Sequence, residues 1–374
     1  MRKNQVALTT AEKAAFINAV LALKQTPSVL HPDDGSLSRY DDFVEVHLNA
    51  MMVMMNNEPS WAHQGPVFGP WHRVLLRQFE LELQKIEPQV EIPYWDWTRA
   101  DSRSRTSSLW RNDFLGPDGR TSGPQTGKVM SGPFAFDAGN WAIRVKDQPD
   151  TPDYLVRRLG RAADARSLPT AAALNAALAA IPYDSAPWED SLRDPSDPAE
   201  WRGFRIQLEI PLHNLVHRWV GGNMVDMSSP NDPVFWLHHC NIDRLWAEWQ
   251  VMHPDEEPYL PEEGAPTGQN LNEPMIFNMP GEPLPWPEQF TAAEVLDHRD
   301  LGVRYDTDRE DRMVREAKRA KAARRERDSL PMFVLPSEIP ALSKKKRAKP
   351  PSKPKPRKPK SKRKRHKPSG RKRS

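Results

Sequence analysis

Apolar residues recur at helical spacing in five stretches of this 374-residue chain. In "AAFINAVLALK", Phe16, Ile17, Val20 and Leu21 share one face, and Thr9 and Glu12 stand ahead of it at capping-box spacing. That pattern predicts an amphipathic helix over about 10–24. Similar periodicity predicts helices over about 40–55, 71–86, 201–219 and 233–251. In the third, Leu75, Leu76, Phe79 and Leu83 form the apolar stripe; in the last, Phe235, Trp236, Leu245, Trp246 and Trp249 follow a helix start at Asp232 and Pro233. Long stretches rich in Pro, Gly, Asp and Ser separate the helices, notably 99–153 and 182–198, and no internal repeat occurs at a fixed period.

Beyond residue 306 the pattern changes, which divides the chain into a helical domain at 1–306, an extension at 307–343 and a tail at 344–374. "DREDRMVREAKRAKAARRERD", residues 308–328, has strong helix formers with almost no apolar stripe and predicts an exposed helix. "SLPMFVLPSEIPAL" follows, a short apolar segment punctuated by prolines and suited to docking on the body. The tail cannot bury apolar surface and is expected to be disordered.

Charge is segregated along the same boundaries. The tail holds eighteen Lys or Arg and no Asp or Glu, so the rest has thirty-six basic against fifty acidic residues, a net of −14. An acidic body with a basic tail predicts attraction of the tail to polyanions, anionic lipid or the body itself. The tail lacks aromatic residues to stack on bases, which makes any nucleic-acid binding non-specific.

An apolar content of 38% suffices for a sizeable core, and no run approaches the roughly 18–20 apolar residues that span a bilayer. The chain shows no clear signal peptide, and the simplest expected compartment is the cytoplasm. A single cysteine, Cys240, excludes an intrachain disulfide and any cysteine-rich metal site, and reads as a small core residue. Thirteen tryptophans and thirty-eight prolines point to a loop-rich domain pinned by aromatic side chains.

Six histidines carry candidate chemistry: His47, His63 and His72 in the first half, His213, His217 and His239 in the second. His213 and His217 are four apart in "LHNLVHRW", so on a helix they share one face, a spacing that ordinary helices also show. His239 lies in "NDPVFWLHHCNID", with Asp243 one turn along, where it can orient a neighbouring group. His238 projects about 100° away from His239 on a helix and reads as structural. A buried histidine costs free energy unless its nitrogens find partners, and a metal is one partner that suits several together.

Imidazole suits copper, zinc, iron and nickel. A di-iron bundle needs Glu-x-x-His pairs that these segments lack, and a lone zinc hydrolase uses one trio with a positioned base, whereas here there are two trios and no HExxH. Two facing three-histidine sites fit a coupled copper pair.

"HQGPVFGPWHR" with Glu80 eight residues beyond His72, "NDPVFWLHHCNID", "LHNLVHRWVGGNM" and "LGVRYD" resemble the signatures of the tyrosinase family, which includes tyrosinases, catechol oxidases and molluscan haemocyanins. The resemblance runs through about residues 4–306 and is closest to the short bacterial tyrosinases. It implies a mainly α-helical fold, a four-helix bundle around a dinuclear copper site, with His47, His63 and His72 on one copper and His213, His217 and His239 on the other. It implies two coppers as cofactor, O2 as co-substrate, and small phenols and catechols as partners. The activity implied is ortho-hydroxylation of monophenols such as tyrosine and oxidation of o-diphenols to o-quinones, as in melanin formation.

Asn214 and Glu209 resemble the pair that positions a phenol-deprotonating water, although Glu209 stands only four residues before His213, in a shortened loop; packing is the alternative for both. Phe235 is expected beside a copper ligand. Met227 and Arg218 are expected at the substrate entrance, with a surface role as the alternative for Arg218. Gly69 replaces a bulky residue and is expected to loosen its loop. Trp61 and Ala62 precede His63 where many eukaryotic relatives carry a cysteine crosslinked to a ligand histidine, so that crosslink is excluded here. The run "MMVMM" reads as a flexible core lining before copper delivery, since thioethers suit both. In this family, C-terminal extensions or small partner proteins often cover the site, which makes "PMFVLP" a candidate plug and a copper-delivery protein a candidate partner. A catechol or o-aminophenol oxidase and an oxygen carrier are the alternative functions.

Overall fold

The computed structural model describes residues 1–279 and 281–308. Past Asp308, the helix expected over 308–328, the segment "PMFVLP" and the basic tail lie outside the described residues. Among the described residues the α-helices are α1 Thr10–Leu23, α2 Arg39–Met52, α3 Phe68–Ile86, α4 Ala171–Leu178, α5 Phe204–Leu208, α6 Asn214–Val220 and α7 Val234–Met252, with a π-helical turn, Glu209–His213, joining α5 to α6. Pairing between extended segments is limited, among these residues, to isolated bridges such as Arg2 with Tyr305.

Local signals explain the helix starts. Thr9 accepts from the Glu12 amide while Glu12 accepts from the Thr9 amide, the capping box expected from the spacing, and α1 buries Phe16, Ile17, Val20 and Leu23. Ser38 and Asp41 repeat the device at α2. Asp232 accepts the Val234 amide at the head of α7, and the carboxylate is gripped by Arg157 through two 2.7 Å bonds with no solvent exposure on either side.

The α3 and α7 stripes meet face to face. Phe79 stacks on Trp236 at 3.6 Å, Tyr40 and Phe43 of α2 pack edge-on against both rings, and Leu75, Leu76 and Leu83 are fully buried. The N-terminal strand of chain closes the far end: Arg2, 1% exposed, reaches Glu80 at 2.9 and 3.1 Å and Asp243 at 3.3 Å. Seven fully buried tryptophans pin the long loops to this core.

Four elements depart from expectation. The single helix expected over 201–219 is broken by the π turn, because Pro211 has no amide proton to donate one turn back; the Asn214 amide instead bonds the Glu209 carbonyl, five residues earlier. Helix α4 was not expected; its signal is the Ala-rich run behind the Thr170 cap. The methionine run does not line the core: α2 gives way to a 3-10 turn, only Val53 is buried, and Met52 and Met55 are 40% and 64% exposed. Gly69 does not loosen its segment, for it lies inside α3 with Trp246 and the Tyr183 hydroxyl each 3.1 Å from where its Cβ would stand.

Candidate metal centre

Two histidine clusters sit at the middle of the α2, α3, α6 and α7 bundle. The ligand-capable atoms of His47, His63 and His72 lie within 4.8 Å of one another, as do those of His213, His217, His238 and His239. His47 comes from α2, His72 from α3, His217 from α6, His239 from α7, His213 from the π turn and His63 from the loop before α3. The clusters face each other, with the His72 and His239 rings stacked at 4.3 Å and those of His63 and His213 5.5 Å apart.

Their hydrogen bonds fix the tautomers. Nδ1–H donates to the Met227 carbonyl from His47 (2.8 Å), to that of Phe68 from His72 (2.8 Å) and to that of Met224 from His217 (2.6 Å). Carbonyl oxygens only accept, so each Nδ1 carries the proton and each Nε2 is a bare lone pair. His213 donates to Asn214 Oδ1 at 2.9 Å, and His63 faces Glu209 Oε1 at 3.3 Å. His239 has no partner at Nδ1; its ring is held between Phe235 at 4.0 Å and His72.

The Nε2 atoms of the six rings converge on one another. His47 and His63 approach to 3.2 Å, His239 lies 3.2 Å from His213 and 3.3 Å from His217, and His72 Nε2 is buried without a partner. With the proton on Nδ1 of every ring, as ligation through Nε2 requires, these contacts repel unless a cation sits among them.

Burial keeps these imidazoles neutral and able to ligate. It lowers His47 to about 3 and His217 to about 4, and holds His63, His72, His213 and His239 well below the ordinary value, with neighbouring histidines adding to the shift.

Other expected residues divide. Phe235 packs on His239 and edge-on against His47 at 5.0 Å, and the Met227 amide is anchored to Asp147 while its carbonyl takes the His47 proton. Arg218 is half exposed and lies 3.0 Å from Asp164, an ionic contact without hydrogen-bond alignment. Asp243 touches no ligand-candidate histidine: Arg73, Arg2 and the Tyr305 hydroxyl take its oxygens, because two buried guanidinium groups are the stronger partners. His238 lies nearer the centre than its place on the helix suggested, stacked on His213 at 5.1 Å with neither nitrogen in a well-formed hydrogen bond. Cys240 is buried against the Ile92 carbonyl, its thiol pushed up to about 12 by burial.

Sequence reasoning missed a buried ion cluster beside the first trio: Asp184, Asp190, Arg193 and Arg205, joined to Glu209. Only the Arg205–Glu209 spacing of four residues on one helix pointed to it. Burial, opposed by Arg205 and helped by Asp190, pushes the Glu209 carboxyl upward.

A model of the common central domain of tyrosinase matches residues 37–252, which contain both histidine clusters. The chain belongs to the tyrosinase family. It is 46% identical over 302 residues to a tyrosinase of Streptomyces antibioticus, covering 80% of this chain and 96% of that protein, and 43% identical to one of Streptomyces glaucescens, covering 82% and 99%. A grixazone synthase of Streptomyces griseus is 35% identical over 80% of this chain and 96% of its own length. Among solved structures, a polyphenol oxidase of Thermothelomyces thermophila is similar in fold, with a TM-score of 0.59 at 24% identity over 82% of this chain and 87% of that one.

The cofactor of this tyrosinase-family chain is a pair of copper ions. The donor set fits it: imidazole nitrogens alone, neutral, with bare Nε2 atoms converging in two groups and His72 Nε2 otherwise orphaned in the core.

Proposed function

We propose that this chain oxidises small phenols with O2, hydroxylating monophenols ortho to their hydroxyl and converting o-diphenols to o-quinones, and that His47, His63 and His72 hold one copper and His213, His217 and His239 the other. The observation that carries the reading is the convergence of four tautomer-fixed imidazoles, with His63 and His239, into two facing trios. Copper, when bound there, supplies the oxidising chemistry with O2.

The chain's own part is to bind, orient and keep water out. Phe235, Phe68 and Trp71 pack around the imidazoles and leave them little rotational freedom. Asn214 engages His213 through its oxygen and makes no hydrogen bond through its amide nitrogen, so it has a donor for a water or an incoming phenol hydroxyl. Met227 and Arg218 border the entrance in this reading, Met227 because its backbone is fixed to His47.

The identities favour tyrosinase over o-aminophenol oxidation, since the Streptomyces tyrosinases are 42–46% identical and the grixazone synthase 35%. No helix of the described residues is long and apolar enough to cross a membrane, and we place the working enzyme in the cytoplasm. A separate protein delivers copper in this reading, the basic tail at 344–374 engages polyanions or the acidic body, and the 307–343 extension covers the site.

Oxygen uptake by the copper-loaded protein with L-tyrosine and L-DOPA, with and without residues 307–374, tests the proposal. Uptake with both substrates supports it, and a rise on truncation supports the cover. Uptake with the catechol alone would move the reading to a catechol oxidase, and uptake with neither would leave an oxygen carrier.

A further inference from the structure

One candidate ligand is supported unlike the rest. His47, His72 and His217 hand Nδ1–H to backbone carbonyls, His213 to its neighbour Asn214, and His239 is wedged between rings. His63 stands on an irregular loop between α2 and α3, and its Nδ1 meets only the carboxylate of Glu209, 146 residues away in sequence. Loop positions do not hold a ring by themselves, so the precision of this ligand depends on what grips the loop.

The grip is a buried salt-bridge cage. Glu209 Oε1 accepts the Gln64 amide at 2.8 Å beside its contact with His63, and Gln64 adopts a left-handed backbone, φ +59°. The Gln64 carbonyl accepts from the Asp190 amide at 2.9 Å, and the Pro66 carbonyl from the Tyr183 hydroxyl at 2.7 Å, so segment 183–190 clasps the loop from the other side. Glu209 Oε2 is held by Arg205 at 3.1 Å. Arg205, 1% exposed, spends its remaining donors on Asp184 and Asp190 at 2.7–3.1 Å, and Arg193 closes the ring on the same two aspartates. Two guanidinium groups thus face three carboxylates, and the surplus carboxylate is the one turned to the histidine.

We infer that Glu209, held rigid by Arg205 on Asp184 and Asp190, is a positioning residue that fixes the ring orientation and tautomer of His63 and so secures the first copper. A carboxylate accepting from the far nitrogen of a ligand imidazole raises that ligand's basicity and is worth 10–100-fold in metal affinity. The inference rests on the reading of His63 as a copper ligand.

The test compares wild type, Glu209→Leu, Glu209→Gln and His63→Asn, each loaded with copper and dialysed against a chelator, with copper per chain and the melting temperature of the metal-free protein as readouts. Leucine removes the surplus charge and leaves two arginines on two aspartates, so the metal-free fold is expected to survive. Glu209→Leu should fall from two coppers to about one, with 10–100-fold weaker retention of the lost ion. Glu209→Gln, which keeps an oxygen for His63, should retain most of the copper. Retention of two coppers by Glu209→Leu at wild-type chelator resistance would overturn the inference. Loss by leucine and glutamine alike, together with a collapsed metal-free melting temperature, would also overturn it, by making the cage structural only. Two coppers in His63→Asn would remove the ligand reading itself and the inference with it.

Discussion

Lowering the pH from 7 to 5.5 should destabilise the metal-free protein sharply. Seven histidines, His47, His63, His72, His213, His217, His238 and His239, pack in one cluster, all but the partly buried His217 fully buried, and are pushed below the ordinary value of 6.5, to about 3 for His47 and about 4 for His217. Below pH 6.5 the unfolded chain takes up protons that the folded cluster refuses, so stability is lost as pH falls and the loss levels off only near the folded values. Between pH 7 and 5.5 each histidine costs ~1.2 kcal/mol by linkage, or ~8–9 kcal/mol for seven. Glu209, raised by burial, works the other way and offsets part of this loss on acidification. The loss that remains, roughly 6–8 kcal/mol, is comparable with the whole stability of an ordinary domain, and at ~2 cal/mol/K per residue it lowers the melting temperature by ~10 °C. Calorimetric melts of the metal-free protein at the two pH values measure it. A melting temperature that stays constant or rises at pH 5.5 would refute the claim that these imidazoles are buried and neutral.

Asp243→Asn leaves Arg2 and Arg73 without their shared carboxylate and should cost about 3–5 kcal/mol in urea unfolding, while copper per chain stays at two because Asp243 touches no ligand candidate. Gly69→Leu drives a side chain against Trp246 and the Tyr183 hydroxyl and should lower stability by about 1–3 kcal/mol; a neutral result would mean that α3 can shift away from α7.

What the sequence revealed was local. The Thr9–Glu12 capping box, the Leu75, Leu76, Phe79 and Leu83 stripe and the four-residue spacing of His213 and His217 are settled within a few turns of chain, and the structure has them as read. The histidine signatures are equally compact, which is why the family was legible before any fold was seen. What stayed hidden depends on pairs far apart in sequence. Arg2 finds Asp243 across 241 residues and Glu209 finds His63 across 146, and neither partner carries a mark of the other. Asp243 was read one turn from His239 as a helper of the ligands, but the geometry of one helix cannot reveal which arginines approach from elsewhere. His238 shows the same limit: rotation by 100° takes it off the His239 face, yet the π turn before α6 brings His213 against it there. Met52 and Met55 were misread because apolar composition alone does not tell a core lining from a helix end turned to solvent.

The most direct test of the account is copper per chain, measured by elemental analysis in wild type, His72→Asn and His217→Asn side by side after loading and desalting. Two coppers in wild type and about one in each variant are expected if the two trios are separate halves of one centre. Two coppers retained in both variants, or a wild type that binds one or none, would contradict it.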